Sequence, residues 1–206
     1  MVQTFAVSST VEVMKLQIVF NPGCSPMEYQ EQDKSFLFPD LTSELCHICK
    51  ADFLRKHGFY ERYLITLGFE GTITIRRYCC HNCFKTVSLL PSFCHPKRAY
   101  GVLAIFGILD EYYVKTAAVC LAVTCFLVEK GVLISRQLLN HYRKRIENNL
   151  NSLVMAVTDI CGLRAPPVTE KVNIKEKVRQ LLLSIHSPMD FSLKIFERTG
   201  TTYLTA

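Results

Sequence analysis

Leu45–Ser92 reads LCHICKADFLRKHGFYERYLITLGFEGTITIRRYCCHNCFKTVSLLPS, and it carries a C-x-x-C pair towards each end. Cys46 stands with Cys49, and Cys80 with Cys83. A C-x-x-C turn aims two thiolates at one point from a tight loop, and two such turns brought together make a closed tetrahedral sulfur cage of the kind a structural metal occupies. The intervening segment is longer than the about fifteen to twenty residues of the compact pattern. Tyr60–Leu67 (YERYLITL) and Thr72–Tyr78 (TITIRRY) explain the extra length. They are rich in β-branched and aromatic residues, with Gly68 and Gly71 between them, which predicts a β-hairpin. A hairpin folds back on itself, so the two cysteine turns still meet. The expected cage is one structural Zn²⁺ on Cys46, Cys49, Cys80 and Cys83, and the expected plan is that of a zinc ribbon.

Charge gathers on the same stretch. The chain of 206 residues has a net charge of +6 and is 49% hydrophobic, which excludes a disordered chain. Before Cys46, Lys15 and Lys34 face six carboxylates (Glu12, Glu28, Glu31, Asp33, Asp40 and Glu44). From Cys46 to Tyr100, Lys50, Arg55, Lys56, Arg62, Arg76, Arg77, Lys85, Lys97 and Arg98 face Asp52, Glu61 and Glu70. The basic excess therefore points to a polyanionic partner at the ribbon. Arg76, Arg77 and Lys85, beside the second cysteine turn, are its candidate phosphate contacts.

The other cysteines are scattered, and no basic n-region marks a signal peptide, so the expected compartment is reducing and intracellular. Met14 offers an alternative start. Ala117–Val128 (AAVCLAVTCFLV) is strongly apolar but shorter than the about twenty residues a membrane span requires, which predicts a buried core helix and no membrane association.

Outside the ribbon, Lys15–Phe20 alternates as a strand would, and Asn21–Leu41, broken by Pro22, Gly23, Pro26 and Pro39, reads as an irregular loop. Beyond Tyr100 the period becomes helical. Helices are predicted over Tyr100–Tyr113, Lys115–Glu129, Arg136–Val157 and Ile174–Ser187, the last followed by an extended tail and preceded by a break at Ala165–Pro167. Gly131 ends the second helix and Ser135 caps the third, an outline like a helix-turn-helix. On the third helix Arg136, Gln137, Asn140, Arg143, Lys144 and Arg145 are candidate nucleic-acid contacts, since Arg suits guanine and Gln or Asn suits adenine. The expected fold is α+β, a zinc ribbon followed by an all-helical domain. Its expected divisions are 1–44 (lead-in), 45–99 (ribbon), 100–164 (helical) and 165–206 (helix and tail).

The run HGFYERYLITLG, then I-x-I-R-R-Y-x-C-x-x-C-x-K-T-x-S-L-L-P-S-F, then P-x-x-x-Y resembles a zinc-ribbon domain of Firmicutes mobile-element proteins, a domain-of-unknown-function family with transposase-like members. The resemblance covers His57–Tyr100. It implies a DNA-binding part of a transposition system in a bacterial cytoplasm, with double-stranded DNA and a catalytic transposition protein as partners. By position it matches the second cysteine turn to Cys80 and Cys83, with Cys79 outside the cage. Zinc turns commonly carry Gly after the second Cys, where φ is positive; Lys50 and Phe84 stand there in this chain, each at about 1 kcal/mol of strain. No P-loop, nucleophile elbow or metal-hydrolase helix is present, and Asp110, Glu111, Glu129 and Asp159 lie in helical sequence rather than on the sheet a two-metal site requires. The expectation is a protein without a catalytic centre or a small-molecule substrate, whose alternative role is that of a protein-interaction adaptor.

Overall fold

The computed structural model describes residues 17–116, 118–161 and 173–199. The fold is mixed α+β: a four-stranded sheet followed by helices. Strands β1 (Gln17–Phe20), β2 (Leu54–Thr66), β3 (Phe69–Cys80) and β4 (Thr86–Pro91) lie in the order β1-β4-β3-β2. The predicted hairpin is the long antiparallel β2–β3 pair, from Thr66↔Phe69 at its Leu67–Gly68 turn to Leu54↔Cys80 at its open end. It is not a two-stranded ribbon. Thr86–Pro91, which reads in the sequence as the end of the hairpin module, is a strand antiparallel to β3, and β1 adds to it in parallel. A lone hairpin is marginal in water, and the two added strands supply the apolar face it lacks.

The segment 21–41 is not an irregular loop. It contains helix α1 (Pro26–Gln32) and a 3₁₀ turn over Asp33–Ser35. The Ser25 hydroxyl accepts from the Glu28 N–H, the Glu28 carboxylate accepts from the Ser25 N–H, and Pro26 fills the first turn, where its missing N–H leaves no bond unmade. The helix docks on β3. The Tyr29 hydroxyl donates to the Thr74 carbonyl at 2.8 Å, Gln30 donates to the Thr72 carbonyl, and the Thr74 hydroxyl donates to Asp33. Tyr29 is fully buried with Phe93 and beside Phe36 and Phe38.

The helical sequence folds as α2 (Val102–Asp110), a π-helical turn (Glu111–Thr116), α3 (Val119–Lys130), α4 (Arg136–Asn148), α5 (Leu150–Cys161), α6 (Ile174–Ser184) and α7 (Pro188–Thr199). Three expectations are corrected. The helix predicted over Arg136–Val157 is broken at Asn149, which leaves helical geometry (φ −100°, ψ 9°). The helix predicted to end at Ser187 ends at Ser184, and α7 replaces the predicted extended tail. Its start is a second Ser-Pro cap, with the Asp190 N–H donating to the Ser187 hydroxyl. The expected break at Ala165–Pro167 and the first residues of the Lys15–Phe20 strand lie outside the described residues.

The third correction concerns α3, expected to be a buried core helix. Ala122 and Phe126 are its buried side chains, whereas Cys120, Leu121, Leu127 and Val128 are exposed, Val128 at 80%. An apolar helix at the edge of a bundle can bury only the strip that touches it. The bundle core itself is extensive: Ile105, Leu109, Tyr112, Phe126, Leu139, Tyr142 and Ile146 belong to one cluster that also takes in Val178 from α6 and Phe191 and Ile195 from α7. No helix among the described residues is long and apolar enough to cross a membrane.

Candidate metal centre

The first cysteine turn lies in the segment that leads into β2, and the second links β3 to β4. They are built alike. The Cys46 N–H donates to the Ala51 carbonyl (2.9 Å) and the Lys50 N–H to the Cys46 carbonyl (2.8 Å). In the second turn the Cys80 N–H donates to the Lys85 carbonyl (3.0 Å) and the Phe84 N–H to the Cys80 carbonyl (3.2 Å). In both turns the residue after the second cysteine is left-handed, Lys50 at φ 58° and Phe84 at φ 57°. The backbone thus adopts the conformation for which glycine is suited, with two side-chain-bearing residues in it. The β2–β3 ladder brings the turns together, because Leu54 pairs with Cys80 at its open end.

The four sulfurs converge, all within 4.8 Å of one another. Cys46 Sγ lies 3.7 Å from Cys83 Sγ, and Cys49 Sγ 3.5 Å from Cys80 Sγ. A tetrahedral ion with metal–sulfur bonds of about 2.3 Å requires sulfurs about 3.8 Å apart, so the donor set fits a metal ion. Cys46 and Cys80 are buried, and Cys49 and Cys83 half-buried. The Asn82 N–H points at Cys80 Sγ at 3.4 Å, the kind of contact that stabilises a thiolate.

Proton affinities also favour a cation. The Ala51 N–H, with smaller help from Asn82 and the neighbouring thiols, brings Cys49 down to about 6. At Cys83 the Lys85 N–H favours the thiolate, but burial and the other sulfurs outweigh it and push that thiol up to about 12. One negative sulfur is readily formed here, and a second beside it is opposed. A bound cation removes that opposition. His47 and His81 are exposed and outside the cage, His81 lying 3.2 Å from the Phe53 carbonyl through Nδ1. Cys79 is buried and turned away, its sulfur against the Cys80 carbonyl.

Residues 46–122 match the family described as "Domain of unknown function (DUF6431)". The DUF6431 match spans both cysteine turns, the hairpin, β4 and α2, and ends in α3. It covers less than half of the chain and names no function, no zinc ribbon and no bacterial source. Neither a curated protein nor a solved structure matches the chain.

The candidate nucleic-acid contacts are not brought to one surface. Arg76 and Arg77, inside the DUF6431 match, are successive residues of β3 and project from opposite faces. Each is half-buried against an aromatic ring: Arg76 lies 4.5 Å from the centre of Phe59, and Arg77 5.6 Å from that of Tyr60. The two cannot form one grip. Lys85 is exposed beside the cage.

Helix α4 lies beyond the DUF6431 match. The left-handed Gly131 (φ 68°) closes α3, and the Ser135 hydroxyl caps α4 by accepting from the Leu138 N–H. Arg136, Gln137, Asn140 and Lys144 are exposed along its outer side. Arg143 is not on that row. Its guanidinium stacks on Tyr112 at 4.2 Å, donates to Asn140 at 3.0 Å and pairs with Glu147, which accepts from Tyr113. It is a packing residue between α4 and the π-turn, and a helical-wheel reading from sequence could not see the ring it lies on. On the other flank, His141 meets Arg98 at 3.0 Å, and Arg145 follows His141 one turn along the helix. Arg98 is absent from the candidate contacts read from the sequence, and the structure sets its guanidinium 3.0 Å from His141.

Proposed function

We propose that this chain is a non-enzymatic, double-stranded-DNA-binding protein of a mobile element, with one structural Zn²⁺ on Cys46, Cys49, Cys80 and Cys83. The carrying observation is the exposed row Arg136, Gln137, Asn140 and Lys144 on a helix that follows a glycine-ended turn. In this reading α3 and α4 act as a helix-turn-helix-like pair. The first residues of α4 reach base edges, and Lys144, Arg145 and Lys85 hold phosphates. The all-sulfur donor set suits zinc in a structural role, since catalytic zinc keeps an open position and usually takes His or a carboxylate. Arg76, Arg77 and Arg143 drop out of the grip because rings or a carboxylate already hold them.

Fluorescence anisotropy with a labelled duplex tests this. The expected result is binding whose log K falls steeply and linearly with log salt, by about 0.9 per phosphate contact. Replacing Arg136 and Gln137 by Ala relaxes sequence preference, and replacing Lys144 weakens all duplexes alike. Absent or salt-insensitive binding overturns the reading. The exposed strip of α3, Leu121, Leu127 and Val128, favours a second one, an adaptor that docks a catalytic transposition protein. A defined oligomer or hetero-complex by light scattering, with no retention on heparin, supports that role instead.

A further inference from the structure

We infer that Arg98, His141 and Arg145 form an oxyanion site for a single phosphate group at the seam between sheet and helices. It rests on the DNA-binding reading only for the source of that phosphate. Arg98 belongs to the loop after β4, which Arg62 of β2 ties down by donating to the carbonyls of both His95 and Arg98. The Arg98 guanidinium reaches across to α4 and stands 3.0 Å from Nε2 of His141. A guanidinium only donates, so Nε2 must accept, and the imidazole is neutral with its proton on Nδ1. Arg145 is one turn further along α4 on the same flank.

The charged groups facing the ring are Arg98 from the loop and Arg145 from its own helix. The phenol of Tyr142 lies near Arg98 and that of Tyr100 near Tyr142, and the Tyr100 hydroxyl is already spent on the Leu133 carbonyl. Among the described residues none of Arg98, His141 and Arg145 is in an ion pair. Arg98 thus meets a basic ring that has Arg145 one turn away on its own helix, and no carboxylate is paired with any of the three among the described residues. Burial and both arginines accordingly hold His141 below its ordinary value. A phosphate oxygen seated between the guanidinia supplies the missing negative charge, and it favours the imidazolium, which then donates through Nε2 to the anion instead of accepting from Arg98. Anion binding and proton uptake by His141 are therefore linked. The site lies beside the exposed row of α4, where a phosphate clamp sets the register of that helix on a duplex.

The test follows the His141 ring by NMR, assigned with His141→Gln, during pH titration of the full chain in chloride and then in inorganic phosphate. In parallel, duplex affinity of the parent, Arg98→Gln and His141→Gln is measured at pH 5.5 and pH 8. The expected results are an upward move of the His141 midpoint in phosphate and duplex binding about tenfold tighter at pH 5.5 than at pH 8 in the parent. That difference is lost in His141→Gln, and the salt slope falls by about one in Arg98→Gln. If phosphate leaves the His141 midpoint in place and both variants bind duplex as the parent does, the site is wrong even though DNA binding stands. If phosphate moves the midpoint but no duplex is bound, the site stands and the DNA reading falls.

Discussion

At the cysteine end of the sheet, the side chains that meet in the interior are Leu41, Leu54, Tyr78 and Leu89 together with Cys46 and Cys80. Between the helices, Phe126, Leu139, Tyr142, Ile146 and Val178 belong to a much larger apolar cluster. Burial of apolar area is worth about 25 cal/mol per Å², so the helices are held by their own packing. The cysteine end has few apolar groups to bury and four sulfurs that repel one another once ionised. The contrast teaches that metal dependence should be local to one end of the molecule.

The largest expected effect comes from breaking that end. Removal of the metal, by a chelator or by Cys80→Ser, forfeits an apparent binding free energy on the order of 10 kcal/mol. Metal analysis of the parent should give about one zinc per chain, and of the variant almost none. Hydrogen exchange then separates the regions: the amides of Cys46–Ala51 and Cys80–Lys85 lose protection, and those of α4 keep theirs. Equal loss in both regions would show that the ends are a single cooperative unit and remove the contrast.

The converse substitution is Phe126→Ala. The Phe126 ring lies so close to Gly107 that a Cβ there would meet it at 2.7 Å, so helices α2 and α3 are in direct contact at this point. Deleting the ring should cost about 3–5 kcal/mol in urea unfolding. Zinc content should stay unchanged, and a fall in it would mean that the helices support the cage.

The two regions share a titrating group. His95 is fully buried in the segment joining β4 to α2, where burial, with smaller contributions from Arg98 and Arg62, brings it down to about 4. Its folded value lies below the ordinary 6.5, so the fold favours the neutral ring. That contribution is fully present above about pH 6.5 and is lost as the pH falls towards 4, by about 3 kcal/mol in all. Acid also protonates Cys49, which is brought down to about 6, so the quantity to measure is the difference in unfolding free energy between the parent and His95→Gln across that range. A difference that stays flat with pH would mean that the ring is not buried as a neutral group.

Much of this arrangement was legible in the sequence. C-x-x-C spacing and β-branched runs are local signals, and they placed the hairpin and the four cysteines that cluster at its open end. The match of Thr86–Pro91 to β3 and β1 is non-local, and no pattern within six residues announces it. The two missed helix starts have a common cause. Pro26 reads as a break because proline ends helices from within, and the tail after Ser187 reads as extended with no weight given to Ser187-Pro188-Met189-Asp190. At the first turn it does the opposite, and the serine before it with the acid two residues after it is the sign. Burial of α3 was misjudged for another reason: an apolar run specifies what could be buried, and only the neighbours decide how much is. The contacts of Arg143 and Arg98 were hidden on the same ground, since the ring under one and the imidazole beside the other come from distant sequence.

The smallest expected effect tests the likeness between the two cysteine turns. Lys50 and Phe84 are both left-handed and both exposed, Phe84 at 69%. A side chain in that conformation costs about 1 kcal/mol, and glycine removes the cost but gives back part of it through the freedom of its unfolded chain. Lys50→Gly and Phe84→Gly should therefore each stabilise the metal-loaded protein by a few tenths of a kcal/mol, roughly 1–2 °C in the thermal midpoint. Alanine at either position keeps the strain and should give no gain, so the glycine–alanine difference isolates the backbone from the loss of a lysine or a phenyl ring. Because the two turns share one hydrogen-bond pattern, the two differences should agree. A glycine variant less stable than its alanine counterpart at one turn alone would show that the turns are alike in outline but not in how they are held.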